Sequence, residues 1–147
     1  VARRSSSRAP ADAQLFRPGG IDFERVDAMG ALVIFTLDVP RLARFYELVL
    51  DALPTLEASG DIRLRNDRDE VLVHSIRGAA ADSVAASVAA PRANSPLKPV
   101  FEVASLSKAL GQVQPGGGVV TKRTFQINGT TRHDVIDPDG NVIQLRG

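Results

Sequence analysis

Residues 133–147, HDVIDPDGNVIQLRG, place a β-forming run on each side of Asp137-Pro138-Asp139-Gly140-Asn141. Asp and Asn favour side-chain-to-backbone turns, Pro138 fixes φ, and Gly140 is free to take φ > 0, so the five residues read as a tight hairpin connection. The spacing predicts strands over 130–136 and 142–146, with Gln144 in the middle of the second. The turn motif is read as a folding device, and the chemical interest falls on Gln144.

Upstream, Asn128-Gly129 is a second hairpin signal and predicts another strand over 119–125. Before it, Leu106, Ala109, Leu110 and Val113 form a short amphipathic helix with Ser105 as its N-cap. Gly116-Gly117-Gly118 stops that helix. The triglycine follows a helix and precedes a strand, the reverse of the context a phosphate-binding loop requires. Pro99-Val100-Phe101-Glu102-Val103 supplies a strand ahead of Ser105.

The first half of the chain repeats this order. Residues 31–37, ALVIFTL, read as a buried strand, Asp38 as an N-cap, and Pro40 lies in the first turn. Leu42, Phe45, Tyr46, Val49, Leu50 and Leu53 fall at i, i+3, i+4, i+7, i+8 and i+11, one helical stripe ending before Pro54. Strands are expected at 55–58, 62–65 and 71–76, with a polar turn at Asn66-Asp67-Arg68-Asp69. Residues 78–97 are rich in Ala, Ser and Pro and read as a linker. Aligning Asp38 with Ser105 superposes two βαβββ units. The expected architecture is therefore α+β: residues 27–147 form one domain, with module one at 27–77 and module two at 98–147, their strands building a curved eight-stranded mixed sheet around a cavity.

Composition narrows the function. The 147 residues carry a formal charge of +1 and no cysteine, which excludes disulfides, thiolate nucleophiles, zinc–thiolate sites and iron–sulfur clusters. Only His74 and His133 offer imidazoles. Residues 1–20 hold four arginines and one aspartate, and without them the formal charge becomes −2. The basic character thus belongs to the N-terminal segment, read as a flexible tail over 1–26, and points away from a nucleic-acid-binding face. No apolar run reaches the roughly 20 residues of a membrane helix. That segment also lacks the apolar stretch of a secretion signal, so a cytoplasmic protein is expected.

Two motifs resemble the vicinal oxygen chelate superfamily, which includes glyoxalase I, extradiol dioxygenases, fosfomycin-resistance enzymes and bleomycin-resistance proteins. One is strand–Asp38–helix with Phe45-Tyr46; the other is Asp137-Pro138-Asp139-Gly140-Asn141-Val142-Ile143-Gln144-Leu145. Their order around a duplicated βαβββ unit makes the resemblance specific over residues 27–147. It implies a cavity enclosed by the sheets and a homodimer. Metal-using relatives place a His, Gln or Glu on the first strand of each module, seven residues before the helix cap, and a Glu on the last strand. Carried over, these positions are Ala31, Lys98 and Gln144, with the module-one counterpart of Gln144 near Val73. Alanine has no donor, a protonated lysine repels a divalent ion, and one neutral amide falls short of the about three good ligands such sites want. No metal or other cofactor is therefore expected.

By the same resemblance the cavity face takes Arg132 and Asp134 from the penultimate strand, Ala31, Val33 and Phe35 from module one, and Lys98, Val100 and Glu102 from module two. Phe35, Lys98, Glu102, Arg132, Asp134 and Gln144 are the candidate ligand-binding residues, an apolar wall facing a polar one. The plainer reading is that these charges pair across strands over an open groove. Metal-independent binding of a small organic molecule is the function expected first. Two others are a lyase, isomerase or dioxygenase with a displaced metal site at Gln144 and His74, and a dimeric interaction module. His74 and His133 are otherwise read as structural.

Overall fold

The computed structural model describes residues 31–78, 80–81, 92 and 95–147. The expected basic tail and most of the expected linker lie outside these residues. Module one contains β1 (Ala31–Thr36), α1 (Val39–Leu50), β2 (Leu53–Leu56), β3 (Ile62–Arg65) and β4 (Glu70–Ser75). Module two contains β5 (Val100–Glu102), α2 (Leu106–Val113), β6 (Val119–Ile127), β7 (Thr130–Ile136) and β8 (Val142–Arg146). Each module makes one curved, open four-stranded sheet, ordered β1-β4-β3-β2 and β5-β8-β7-β6. In both, the first strand runs parallel to the last and the remaining pairs are antiparallel. The duplicated βαβββ architecture expected from the sequence is thus the observed one. Among the described residues, no helix is long and apolar enough to cross a membrane.

Both helices start where polar side chains satisfy their free amides. Asp38 accepts from the Arg41 amide and Ser105 from the Lys108 amide. Helix α1 buries Leu42, Phe45, Tyr46, Val49 and Leu50 against the inner sheet faces and packs on α2. Leu64, Val71 and Val73 meet it from module one, and Phe101, Val113, Val135, Ile143 and Leu145 complete the same core from module two.

Leu53 departs from the expected helical stripe. Asp51 turns into the left-handed region (φ 53°) and its amide, like that of Ala52, returns towards the last helical turn, ending α1 at Leu50. Leu53 therefore enters β2, which begins two residues earlier than expected, and is 78% exposed. Pro54 is tolerated there because β2 is an edge strand. At the other end of the chain β6 extends to Ile127, because Asn128 (φ 50°) and Gly129 (φ 77°) make a two-residue turn of the I′ kind with no spacer.

The Asp137–Asn141 turn is held from within and from outside. Asp137 Oδ1 accepts from the amides of Asp139 (2.9 Å) and Asn141 (2.8 Å), and its Oδ2 accepts from Asn141 Nδ2 at 2.7 Å. Gly140 takes φ 84°. Module one then grips the turn: the Tyr46 hydroxyl donates to Asp137 Oδ2 (2.9 Å), Thr36 Oγ1 to Asp139 Oδ2 (2.6 Å), and Arg41 to Asp139 Oδ1 (2.5 Å). Burial raises the pKa of Tyr46, and the neighbouring Asp137 carboxylate raises it further, so the phenol stays a donor.

Tyr46→Phe removes one donor from a buried carboxylate without changing the packed ring. It is expected to cost about 2 kcal/mol, lowering the thermal unfolding midpoint by several degrees while leaving the folded-state circular dichroism unchanged.

Candidate functional site

Strand alternation sends Val135, Ile143 and Leu145 into the core and Asp134 and Gln144 to the opposite, concave face of module two. Register fixes who meets whom: Asp134 pairs with Gln144, and Gln144 with Val100. Asp134 is completely buried. Its Oδ2 accepts from Lys98 Nζ at 2.7 Å and its Oδ1 from Gln144 Nε2 at 3.0 Å. Gln144 Oε1 in turn accepts from Arg132 Nη1 at 3.3 Å. Lys98 also stands 5.8 Å from the centroid of the Phe125 ring, a cation–π distance.

Four of the six expected ligand-binding residues, Lys98, Arg132, Asp134 and Gln144, thus form one hydrogen-bonded chain. Glu102 stands apart, paired with Arg146 at 2.8 Å and near Arg68 at 3.7 Å. Phe35 belongs to module one and stacks edge-on against His74, with centroids 5.2 Å apart. The two-walled cavity expected from the sequence is therefore resolved into separate clusters. Phe125 joins the polar chain through a bulge between Val120 and Thr124 that shifts the β6 register, a displacement invisible to a period-2 reading.

The superfamily's metal does not fit these residues. Lys98 occupies one first-strand position as a cation bonded to Asp134, and Ala31 occupies the other. The Gln144 oxygen, the one donor left, faces the Arg132 guanidinium. The register also corrects the expected partner of Gln144 in module one. Val33 and Val100 each stand five residues before a helix cap, Val33 pairs with Leu72, and Val100 pairs with Gln144. The counterpart is Leu72, while Val73 lies in the core. Among the described residues no three His, Asp or Glu side chains group as a metal site.

His133 is structural. Its Nε2 donates to the Thr121 carbonyl (2.7 Å), leaving Nδ1 to accept from the Thr124 hydroxyl (3.0 Å), so both nitrogens brace the β6 bulge. His74 is placed differently. Opposite Phe35 in the β1–β4 register, it lines a cavity of about 480 Å3 with Phe35, Ser59, Asp61, Ser75, Ile76, Arg77 and Ala80. Its Nδ1 lies 2.5 Å from Asp61 Oδ2. Asp61 also accepts from the Ser59 hydroxyl (2.7 Å) and the Ser75 amide (3.0 Å). Burial acts to raise the Asp61 pKa, but these three donors outweigh it and the net value lies below the ordinary one. The sequence reading passed over Asp61. The signal was its place one residue before β3, where the Ile62–Val73 register carries it opposite His74.

No family model matches the chain, and no curated protein matches it in sequence. Its architecture is nonetheless shared with solved structures. A glyoxalase/bleomycin resistance protein from Albidiferax ferrireducens T118 superposes with a TM-score of 0.60 at 14% identity, covering 82% of this chain and 98% of that one. A glyoxalase/bleomycin resistance protein/dioxygenase family enzyme from Burkholderia phytofirmans PsJN gives 0.59 at 15% identity, covering 79% and 94%. The fosfomycin resistance protein FosX from Mesorhizobium loti gives 0.57 at 15%, covering 82% and 92%. The chain has the fold of the vicinal oxygen chelate superfamily.

Two outcomes follow from these clusters. Lys98→Met leaves the buried Asp134 carboxylate without its counter-ion and is expected to cost about 2–3 kcal/mol, discounted for the half-exposed lysine. Adding Asp134→Asn recovers most of that loss in chemical denaturation, because a neutral amide needs no cation; equal stability of single and double variants would contradict the pairing. The second concerns acid. With its folded pKa below the unfolded value, Asp61 stabilises fully above about pH 4, and that contribution is lost as pH falls through the lowered pKa. Asp61→Asn should therefore flatten the acid limb of a stability–pH profile. Asp137, whose pKa burial raises, contributes the opposite slope.

Proposed function

We propose that this protein binds a small organic molecule on the concave side of its sheets, without a metal ion, in the manner of a bleomycin-resistance-like binding protein. The observation that carries the reading is the Lys98–Asp134–Gln144–Arg132 chain. It puts a lysine at one position where the superfamily's metal chemistry needs an anionic or imidazole donor and sets a guanidinium against the amide oxygen at another, and it leaves polar groups aimed at a surface shared with an exposed aromatic ring, Phe125. Apolar surface with a few fixed polar groups is the general make-up of small-molecule sites. Arg132 is only partly buried and, among the described residues, bonds Gln144 through Nη1 alone, which makes its guanidinium the group best placed to reward a ligand oxygen. Of the other expected residues, Glu102 lies beyond this polar chain on the same sheet, paired with Arg146, and Phe35 stands apart in module one against His74. The chain is read as a homodimer, a reading supported by Leu53 and Leu56, both more than 70% exposed on the edge strand β2.

The test has two parts. Protein equilibrated with zinc, manganese and iron(II) and then dialysed should retain none in stoichiometric amount by elemental analysis; retention that disappears in Gln144→Ala would overturn the metal-independent reading. A panel of aromatic and cationic compounds should contain members that raise the melting temperature by several degrees, since a ligand that binds only the folded state stabilises it. Arg132→Ala should abolish that rise.

A further inference from the structure

The cavity beside His74 lies in module one, away from the polar chain just described, and its chemistry is different. Asp61 holds its charge because three donors converge on its carboxylate. An ionised Asp61 requires a proton on His74 Nδ1, so in the neutral ring the lone pair is on Nε2. The ring itself lines the cavity, and within the described residues Nε2 has no hydrogen-bond partner. Ser59 donates to Asp61 and not to the imidazole, so no serine nucleophile is being activated. What the arrangement offers is an imidazole held on its Nδ1 side by a fixed carboxylate and set in a cavity wall with Nε2 unbonded among the described residues.

The rest of the cavity suits one kind of guest. Phe35, 46% exposed, and Ile76 give it an apolar surface, and Arg77 adds a cation. The charged groups lining the cavity are Asp61 and Arg77; the next charged side chain on β3, Arg63, is bound to Glu57 and Glu70. We propose that the Asp61–His74 pair and its cavity form a binding site for an acidic aromatic molecule, which docks as its anion after giving its proton to His74 Nε2. In that step the guest's O–H bond breaks, an Nε2–H bond forms, and the electron pair stays on the guest oxygen. The new imidazolium then donates to that oxygen while its Nδ1–H remains on Asp61. The site draws on none of the residues of the module-two chain, so it stands or falls separately from the function proposed above.

The probe is 4-nitrophenol, whose absorbance reports its own ionisation, with 4-nitroanisole as a shape-matched control lacking the acidic proton. Titrations are run about one pH unit below the phenol's pKa. The intact protein should bind 4-nitrophenol more tightly than 4-nitroanisole, and the bound dye should absorb as phenolate. His74→Gln should weaken 4-nitrophenol about tenfold or more, as loss of one charge-assisted hydrogen bond implies, and whatever remains bound should absorb as phenol. Asp61→Asn should shift the spectrum in the same direction. Phe35→Ala serves as the second variant: it should weaken both compounds alike and leave the bound phenol ionised. Equal affinity for the two probes, a bound dye that stays neutral, or a folded His74→Gln that keeps the phenolate band would each overturn the proposal.

Discussion

The two modules share one hydrophobic core, and a tyrosine, a threonine and an arginine lock it by hydrogen bonds to a five-residue turn. The Asp137–Asn141 connection belongs to module two, yet Tyr46, Thr36 and Arg41 of module one supply the donors that satisfy its two buried aspartates. Burying a carboxylate without partners is costly, and several fixed donors offset much of that cost. The turn's internal bonds give its shape, and the donors from module one then tie that shape to the start of α1. Because Tyr46 also lies on the apolar stripe of α1, correct packing of the helix and correct docking of the turn are one condition. Each sheet can then keep its concave face free for other uses.

Those concave faces are governed by neutralisation. Asp134 meets Lys98, Glu102 meets Arg146, and Glu70 meets both Arg63 and Arg65. The plainer expectation, that such charges pair across strands, describes these contacts well. Yet the Asp134 pairing is buried and continued by Gln144 and Arg132, and a buried, connected polar chain is more demanding than a surface ion pair. It fixes side chains in place ahead of any ligand, which lowers the ordering cost of binding.

Much of this was legible in the sequence because it depends on local rules. The caps at Asp38 and Ser105, the stripe from Leu42 to Leu50, the glycine turns and the duplication all announce themselves by spacing. What stayed hidden depends on register. Asp61 meets His74 only because Ile62 lies opposite Val73. Leu72, not Val73, answers to Gln144 because a parallel pairing sets the phase. The β6 bulge that brings Phe125 beside Lys98 has no composition of its own. Leu53 was misassigned because helical periodicity continues past Asp51 although the backbone does not.

The duplication allows a last comparison, position against position. The paired registers make His74 the counterpart of Arg146, Asp61 of Arg132, Phe35 of Glu102 and Leu72 of Gln144. Where module one has an acid–imidazole pair under an aromatic ring, module two has two arginines, one of them bound to a glutamate. The fully buried core-facing counterparts show no such exchange: Leu64 answers to Val135, Val71 to Ile143 and Val73 to Leu145, all buried aliphatics, and only at the rim does Ile62 answer to His133. Packing against α1 and α2 holds one face of each sheet to a narrow set of shapes, whereas nothing in the fold's own stability requires a particular chemistry on the other. Divergence concentrated on the concave faces is what two separately adapted binding surfaces on one duplicated scaffold would produce. A module kept only as packing for its twin would have no need of a carboxylate buried beneath a histidine.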